Sequence, residues 1–163
     1  MSPALGTIPS DRLFPWLLEF VLAADVSTAA NVTPVTLTGM VFTFEANSQY
    51  VLELFGGMQS PANTTGYGLQ IDVSAAVTKI WFRFAHQLAN TGTLTGGSSI
   101  ADDASVGLST GVPTNATPVP IHGSGVIITG ANTGTAQLRL RSGVAAVATM
   151  LAGSILRVRK VGS

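Results

Sequence analysis

The chain has 163 residues, of which 10% are charged and 46% are apolar. Its length predicts one domain, and its composition predicts a folded chain rather than a disordered one. The formal net charge is zero, so we expect neither a nucleic acid nor an acidic substrate as a partner. Because cysteine is absent, disulfides, thiolate zinc sites and cysteine nucleophiles are excluded.

The low charge content also bears on the surface of the molecule. Permanent interfaces are depleted in charged side chains, so we expect part of this surface to be buried against other subunits. No apolar run approaches the roughly 20 residues of a membrane span. No basic segment precedes an apolar stretch at the N-terminus. We therefore expect no membrane partner and no signal peptide.

The first 18 residues predict an extended arm in front of a domain that covers residues 19–163. Pro3, Pro9 and Pro15 prevent a continuous helix, because proline lacks an amide hydrogen and restricts the residue before it. The arm ends in an apolar cluster that includes Leu13, Phe14, Trp16 and Leu17. Two interpretations stay open: the cluster packs on the core of its own chain, or it docks on a neighbouring protein.

Alternating apolar and polar residues predict a series of short strands along the domain. The predicted strands cover residues 19–25, 35–44, 48–55, 67–73, 77–86, 119–128, 144–151 and 154–161. Gly39 changes the phase of its strand and predicts a β-bulge, whereas Gly56 and Gly57 predict an interruption. Residues 90–118, rich in Thr, Gly, Ser and Pro, predict a long connection with one short strand near Ala104–Leu108.

The segment Gly123–Arg141 gives the clearest local signal, which is that of a β-hairpin around the loop 130–134. In its second half Ala136, Leu138 and Leu140 alternate with polar residues, so this strand has one face in a core and one in water. Glycine and asparagine in the loop predict the positive φ angles of a tight hairpin turn.

Taken together, the eight or nine short strands and the absence of a convincing helix predict an all-β sandwich or barrel. A long connection favours a chain that crosses from one sheet to the other. The sequence therefore predicts a jelly-roll β-sandwich of two antiparallel sheets, preceded by the short extended arm.

The ionisable residues form no catalytic or metal-binding pattern. The acidic residues are scattered, and no two share a strand face at the two-residue spacing of a catalytic carboxylate pair. His86 and His122 lie far apart and lack the spacing of metal ligands. Asp102 and Asp103 are adjacent, but no calcium-binding motif surrounds them. We therefore expect no enzyme activity, no cofactor and no metal ion.

Three side chains on predicted outward faces are candidates for contacts with other molecules. Trp81 lies between two basic residues, and Val51 and Phe55 point away from the core-facing residues of their strand. An outer face of this kind predicts burial against a symmetry mate. For Trp81, coverage by a loop of the same chain and a platform for a glycan stay open as alternatives.

Four arginines alternate with apolar residues on two predicted strands. These arginines are Arg139, Arg141, Arg157 and Arg159. If the two strands are neighbours, the guanidinium groups form one patch that pairs with carboxylates across a subunit contact. A DNA-binding interpretation fits poorly, because the patch is small and the chain is neutral overall.

Four segments of the chain together resemble a family of virion proteins. They are VLAADVSTAANVTPVTLTGMVFTFEANSQYVLELF, STGVP at Ser109–Pro113, GVIITGANTGTAQLRLRS, and the closing AGSILRVRKV. These turn-and-strand signatures resemble the small jelly-roll modules of tailed bacteriophages, which occur as head decoration (cement) proteins, head fibres and tail-fibre tips. The resemblance covers about residues 20–161. It implies a trimeric β-sandwich similar in shape to the tumour-necrosis-factor and complement-C1q heads, and it carries over no catalytic residues.

Fibre-tip modules of this family usually follow a long fibrous region, whereas only a short Pro-rich arm precedes the sandwich here. The resemblance therefore implies a homotrimeric decoration protein that binds and stabilises the shell of the major capsid protein. Such a protein sits on the capsid exterior of the virion and is assembled in the bacterial cytoplasm. In this view the apolar arm docks on the capsid, while the outward residues and arginines contact a subunit or the shell. The alternative is a receptor- or glycan-binding tip of a tail fibre or head fibre.

Overall fold

The computed structural model describes residues 17–30, 32–61, 65–88, 93–99 and 117–162, and all regular structure in these ranges is β-strand. The strands form two antiparallel sheets, which confirms the predicted fold class. In chain order the strands are β1 (Leu17–Val21), β2 (Val26–Ser27), β3 (Val35–Phe44), β4 (Gln49–Gln59), β5 (Tyr67–Val73), β6 (Val77–Leu88), β7 (Thr93–Ser99), β8 (Val119–Thr129), β9 (Gly134–Ser142), β10 (Thr149–Met150) and β11 (Ile155–Gly162).

The larger sheet has the strand order β1-β11-β4-β8-β6-β7, with β10 beside β4 and β2 beside β10. The smaller sheet has the order β3-β9-β5. Each strand of the smaller sheet is preceded and followed along the chain by strands of the larger one, so the chain crosses repeatedly between the sheets. Repeated crossing of this kind is the arrangement of a jelly-roll sandwich.

One hydrophobic core lies between the sheets. It is formed by the inward residues of both, including Leu54, Phe82 and Phe84 from the larger sheet. Two inward glycines of β8 make room for these side chains. A Cβ atom on Gly125 would lie 2.5 Å from the carbonyl oxygen of Trp81, and one on Gly123 would lie 3.0 Å from the ring of Phe82. Glycine at these two positions therefore lets β8 pair closely with β6 in the same sheet.

The predicted hairpin at Gly123–Arg141 is wrong, although both of its strands exist. β8 pairs with β4 and β6, whereas β9 pairs with β3 and β5, so the two strands belong to different sheets. The loop between them is a corner of the sandwich. Among the described residues positive φ occurs only at Gly39, Asn47 and Gly153, and none of these lies in that loop. Alternation along each strand is the same for a hairpin and for a corner, so local pattern could not separate them.

Two glycine predictions have opposite outcomes. The bulge at Gly39 is confirmed, since its φ is 95° and the register of β3 against β9 shifts between Thr36 and Val41. The interruption at Gly56 and Gly57 is wrong, because β4 continues to Gln59. A Cβ on Gly57 would lie 3.0 Å from the Leu151 side chain, and one on Gly56 would collide with the Ser154 hydroxyl. At these two positions glycine leaves room for the neighbouring turn that contains Leu151 and Ser154, and the strand continues.

Other boundaries differ from the prediction. β7 lies in the segment predicted as a long connection, and the strand predicted near Ala104–Leu108 falls outside the described residues. Only Thr149–Met150 of the predicted strand 144–151 pairs as a strand. At the N-terminus β1 begins at Leu17, so Leu17 and Leu18 belong to the sheet rather than to an arm ending at residue 18. The remainder of the predicted arm, including Leu13, Phe14 and Trp16, falls outside the described residues.

Candidate protein-interaction face

The outward residues of the larger sheet form a continuous surface, which we call the larger-sheet face. Antiparallel register places them in three rows across strands β1, β11, β4, β8 and β6. The first row is Arg159, Val51, Val126 and Trp81. The second is Glu19, Arg157, Glu53, Ser124 and Arg83. The third is Val21, Ile155, Phe55, His122 and Ala85. Two rows rich in apolar side chains therefore flank a central charged row.

Large apolar side chains on this face are open to solvent. Val21 is 52% exposed, Trp81 47% and Phe55 41%. Val51, Val126 and Ile155 are half-buried between them. Outward residues of a solvated sheet are normally polar, so an apolar outer row indicates a surface that another molecule covers.

Charged groups on the larger-sheet face are largely engaged with their neighbours. The Arg157 guanidinium donates to the Glu19 carboxylate at 2.9 Å, and it also lies 5.7 Å from the centre of the Phe55 ring. The Phe55 ring in turn lies 4.9 Å from the ring of His122. Lys79 places its ammonium 4.7 Å from the centre of the Trp81 ring. In these cation–π contacts the charged groups lie over aromatic rings, which lowers the free-energy cost of burying the charges in an interface.

The outward side of the smaller sheet, which we call the smaller-sheet face, is mainly polar, although Val41 is 37% exposed on it. The Asp72 carboxylate accepts a hydrogen bond from the Gln137 amide and lies 3.5 Å from the Arg139 guanidinium. Gln70 lies opposite Arg139 in the register, and it is only 4% exposed although its strand neighbours Leu69 and Ile71 fill the core. This face is therefore a network of hydrogen bonds and charges.

The structure brings together five of the seven predicted contact residues. These five are Val51, Phe55, Trp81, Arg157 and Arg159, all on the larger-sheet face. Arg139 and Arg141 belong to β9 and lie on the smaller-sheet face, at the opposite side of the sandwich. The condition for a single arginine patch, that the two strands are neighbours, is therefore not met. Alternation fixes on which side of its own strand a residue lies but not which sheet holds the strand.

The two histidines lie in different environments. His86 faces the core, where its ring lies 5.5 Å from that of Tyr67, and His122 faces outward beside Phe55. Burial raises the pKa of the Tyr67 hydroxyl above its ordinary value. Within the described ranges no three His, Cys, Asp or Glu side chains come together in a way that could hold a metal ion. The same ranges contain no helix long and apolar enough to cross a membrane.

A shallow cavity of about 300 Å³ lies at the end of the larger sheet, beside the connection between the predicted strands 35–44 and 48–55. It is lined by Asn47, Ser48, Gln49, Ile128, Thr129 and Gly162. Asn47 has a φ of 48°, a left-handed conformation that asparagine tolerates better than most residues. The sequence contains one indication of this left-handed turn, which is an asparagine directly before a strand.

The Thr129 side chain fixes the turn that forms this cavity. Its hydroxyl accepts a hydrogen bond from the Ser48 amide at 2.7 Å and donates to the Glu45 carbonyl, also at 2.7 Å. The Asn47 amide donates to the carbonyl of Gly130 at 2.7 Å. Lys160 donates to the Glu45 carboxylate at 2.8 Å, and this hydrogen bond raises the pKa of Lys160. The turn is thus tied to β8 and β11 before any ligand arrives.

No protein-family model matches the chain, and no curated protein matches it. Among solved structures it is similar to the infectious bursal disease virus Gx strain structure, with 12% identity and a TM-score of 0.28 over 90% of this chain and 39% of that chain. For the VP2 subviral particle of this virus the identity is 12% and the TM-score 0.26, over 90% and 40%. The chain spans about two fifths of the length of these chains. Because these TM-scores are so low, we base the fold assignment on the strand order described above and not on this similarity.

Proposed function

We propose that the chain is a structural protein of a tailed-bacteriophage virion. In this proposal it is a homotrimeric, non-enzymatic decoration protein that binds the shell of the major capsid protein on the capsid exterior. The observation that carries the proposal is the larger-sheet face, on which Val21, Phe55 and Trp81 stand exposed beside paired charges. Two parts of the proposal, the tailed-phage virion and the trimeric state, come from the resemblance of the sequence to small jelly-roll phage modules.

The mechanism of such a protein is mechanical. Burying apolar surface contributes about 25 cal/mol per Å², so association removes the cost of exposing these side chains to water. Three subunits joined through the larger-sheet face would carry three N-terminal segments on one trimer. Linked segments raise the effective concentration of each weak shell contact, which strengthens the attachment without a new contact type.

Deletion of residues 1–16 tests the attachment to the shell. Because β1 begins at Leu17, this deletion leaves every described strand intact, whereas removal of residues 1–18 would cut into the sheet. We expect the shortened protein to remain folded and trimeric but to be absent from purified particles, as measured by sedimentation with empty shells and by electron microscopy of labelled particles. Wild-type occupancy of the shells by the shortened protein would contradict the docking role of the arm.

A receptor-binding tip is the second candidate, and the exposed indole of Trp81 favours it. Labelling of the intact particle separates the two functions, since a decoration protein labels the head and a tip module labels fibres. A host-adsorption assay with Trp81→Ala then tests the tip, because loss of adsorption by a variant that light scattering shows to be still trimeric is expected only if this residue contacts the receptor.

A further inference from the structure

We propose that the cavity at the end of the larger sheet is a saccharide-binding site. In it the side-chain amides of Asn47 and Gln49 bind the ring hydroxyls of a neutral pyranose that lies against the Ile128 side chain. The proposal concerns the turn after β3 and the adjoining ends of β4, β8 and β11, so it does not depend on whether the protein decorates a head.

Strand register places the polar and apolar groups of the cavity beside one another. Gly162, Gln49, Ile128 and Lys79 lie opposite one another in a row across four strands. Neighbouring strands are about 4.8 Å apart, so the backbones of Gln49 and Lys79 are separated by roughly 10 Å. The cavity thus has the carboxamides of Asn47 and Gln49 at one end and the Ile128 side chain beside them.

Both carboxamides are available to a ligand. Asn47 and Gln49 are exposed, and neither side chain hydrogen-bonds to another residue within the described part of the chain. A carboxamide offers two N–H donors and a carbonyl acceptor, and each sugar hydroxyl can donate and accept. Two amides side by side therefore match the hydroxyls of a pyranose, as separate carboxylates or ammonium groups would not.

The chemistry of the lining favours a neutral ligand over an anion. All six lining residues are uncharged. The nearest ammonium groups are already engaged, that of Lys160 by Glu45 and that of Lys79 by the Trp81 ring. Apolar C–H groups of a sugar ring suit the Ile128 side chain.

The site is also preformed, which reduces the cost of binding. The Thr129 hydroxyl bridges Ser48 and Glu45, so the turn that carries Asn47 does not have to be ordered by the ligand. Preorganisation matters for a sugar, because each hydrogen bond to the ligand replaces one to water and contributes only about 1 kcal/mol.

Saturation-transfer NMR on the full chain tests the proposal, with methyl glucoside, methyl galactoside and N-acetylglucosamine as probes. We expect transfer to at least one probe, with a dissociation constant on the order of 1 mM for so few contacts. Gln49→Ala and Asn47→Gly should each weaken binding about three- to tenfold. Glycine is chosen at Asn47 because it keeps the positive φ. Asn132→Ala, which removes an exposed amide from another loop, should leave binding unchanged.

Two results would overturn the saccharide site: no transfer to any of the three probes, or equal binding by the wild type and Gln49→Ala. Thermal unfolding of each variant checks that the fold is kept. Phe55→Asp separates this site from the proposed function, because it alters the larger-sheet face three rows from the row of Gln49. We expect that variant to lose self-association and to keep saccharide binding, so either proposal can fail while the other stands.

Discussion

The two outer faces of the sandwich are built on the same alternation and yet have opposite chemistry. On the larger-sheet face the outward side chains include Phe55 and Trp81, each more than two fifths exposed. On the smaller-sheet face the outward residues Asp72, Gln137 and Arg139 bind one another. Inward residues of both sheets share one core. The core therefore determines the sandwich, whereas the outward residues determine which side is suited to meet another protein.

The two faces also differ in how far their ion pairs are exposed to solvent. The Arg139–Asp72 pair of the smaller-sheet face is 26% and 28% exposed, and it is joined by a hydrogen bond from Gln137. The Arg157–Glu19 pair of the larger-sheet face is 41% and 43% exposed. A more buried, hydrogen-bonded charge contributes more to the stability of the isolated chain. An exposed pair contributes little until an interface covers it.

Asp72→Asn, on the smaller-sheet face, is expected to have the larger effect on stability of two charge-removing variants, one on each face. The change removes the charge that faces Arg139 and leaves that guanidinium half-buried beside a neutral amide. We expect a loss of about 1–2 kcal/mol in the free energy of unfolding, measured by urea denaturation at neutral pH. Glu53→Gln on the opposite face is the matched control, since Glu53 is exposed and forms no ion pair within the described ranges. An equal loss in both variants would refute the special role of the Asp72 network.

Glu19→Gln gives the smaller effect. The Arg157–Glu19 pair is exposed, so we expect a loss of only about 0.2–1 kcal/mol for the dissociated chain. Salt should reduce the difference between wild type and variant, because exposed charges are screened within about 10 Å at 0.1 M ionic strength. Urea denaturation at low and high sodium chloride measures both quantities. A loss larger than that of Asp72→Asn, or one that salt does not change, would contradict the contrast between the faces.

Much of the fold could be predicted from residue alternation. β3 and β5 match the predicted strands, and the bulge at Gly39 was found because a glycine changed the phase of its strand. What alternation does not contain is the identity of the neighbouring strand. The segment Gly123–Arg141 shows this, since its two amphipathic strands join different sheets. Likewise Gly56 and Gly57 resemble a strand end in sequence, but they face Ser154 and Leu151 from a turn nearly 100 residues away.

The candidate sites show the same limit. Outward side chains such as Val51, Phe55 and Trp81 could be predicted because each breaks the polar pattern of its own strand. Their arrangement as rows across five strands depends on register, which sequence pattern alone does not give. The cavity beside Asn47 was missed for a similar reason. Its walls come from three segments that are distant in the chain, and Thr129, which fixes the turn, looks like an ordinary strand residue.

The molar mass of the protein in solution tests the central claim most directly. Size-exclusion chromatography with light scattering is performed on the wild type, on Phe55→Asp, and on Thr43→Asp, which places the same charge on the smaller-sheet face. We expect three times the monomer mass for the wild type and for Thr43→Asp, and the monomer mass for Phe55→Asp. A monomeric wild type, or dissociation by Thr43→Asp while Phe55→Asp stays trimeric, would contradict it.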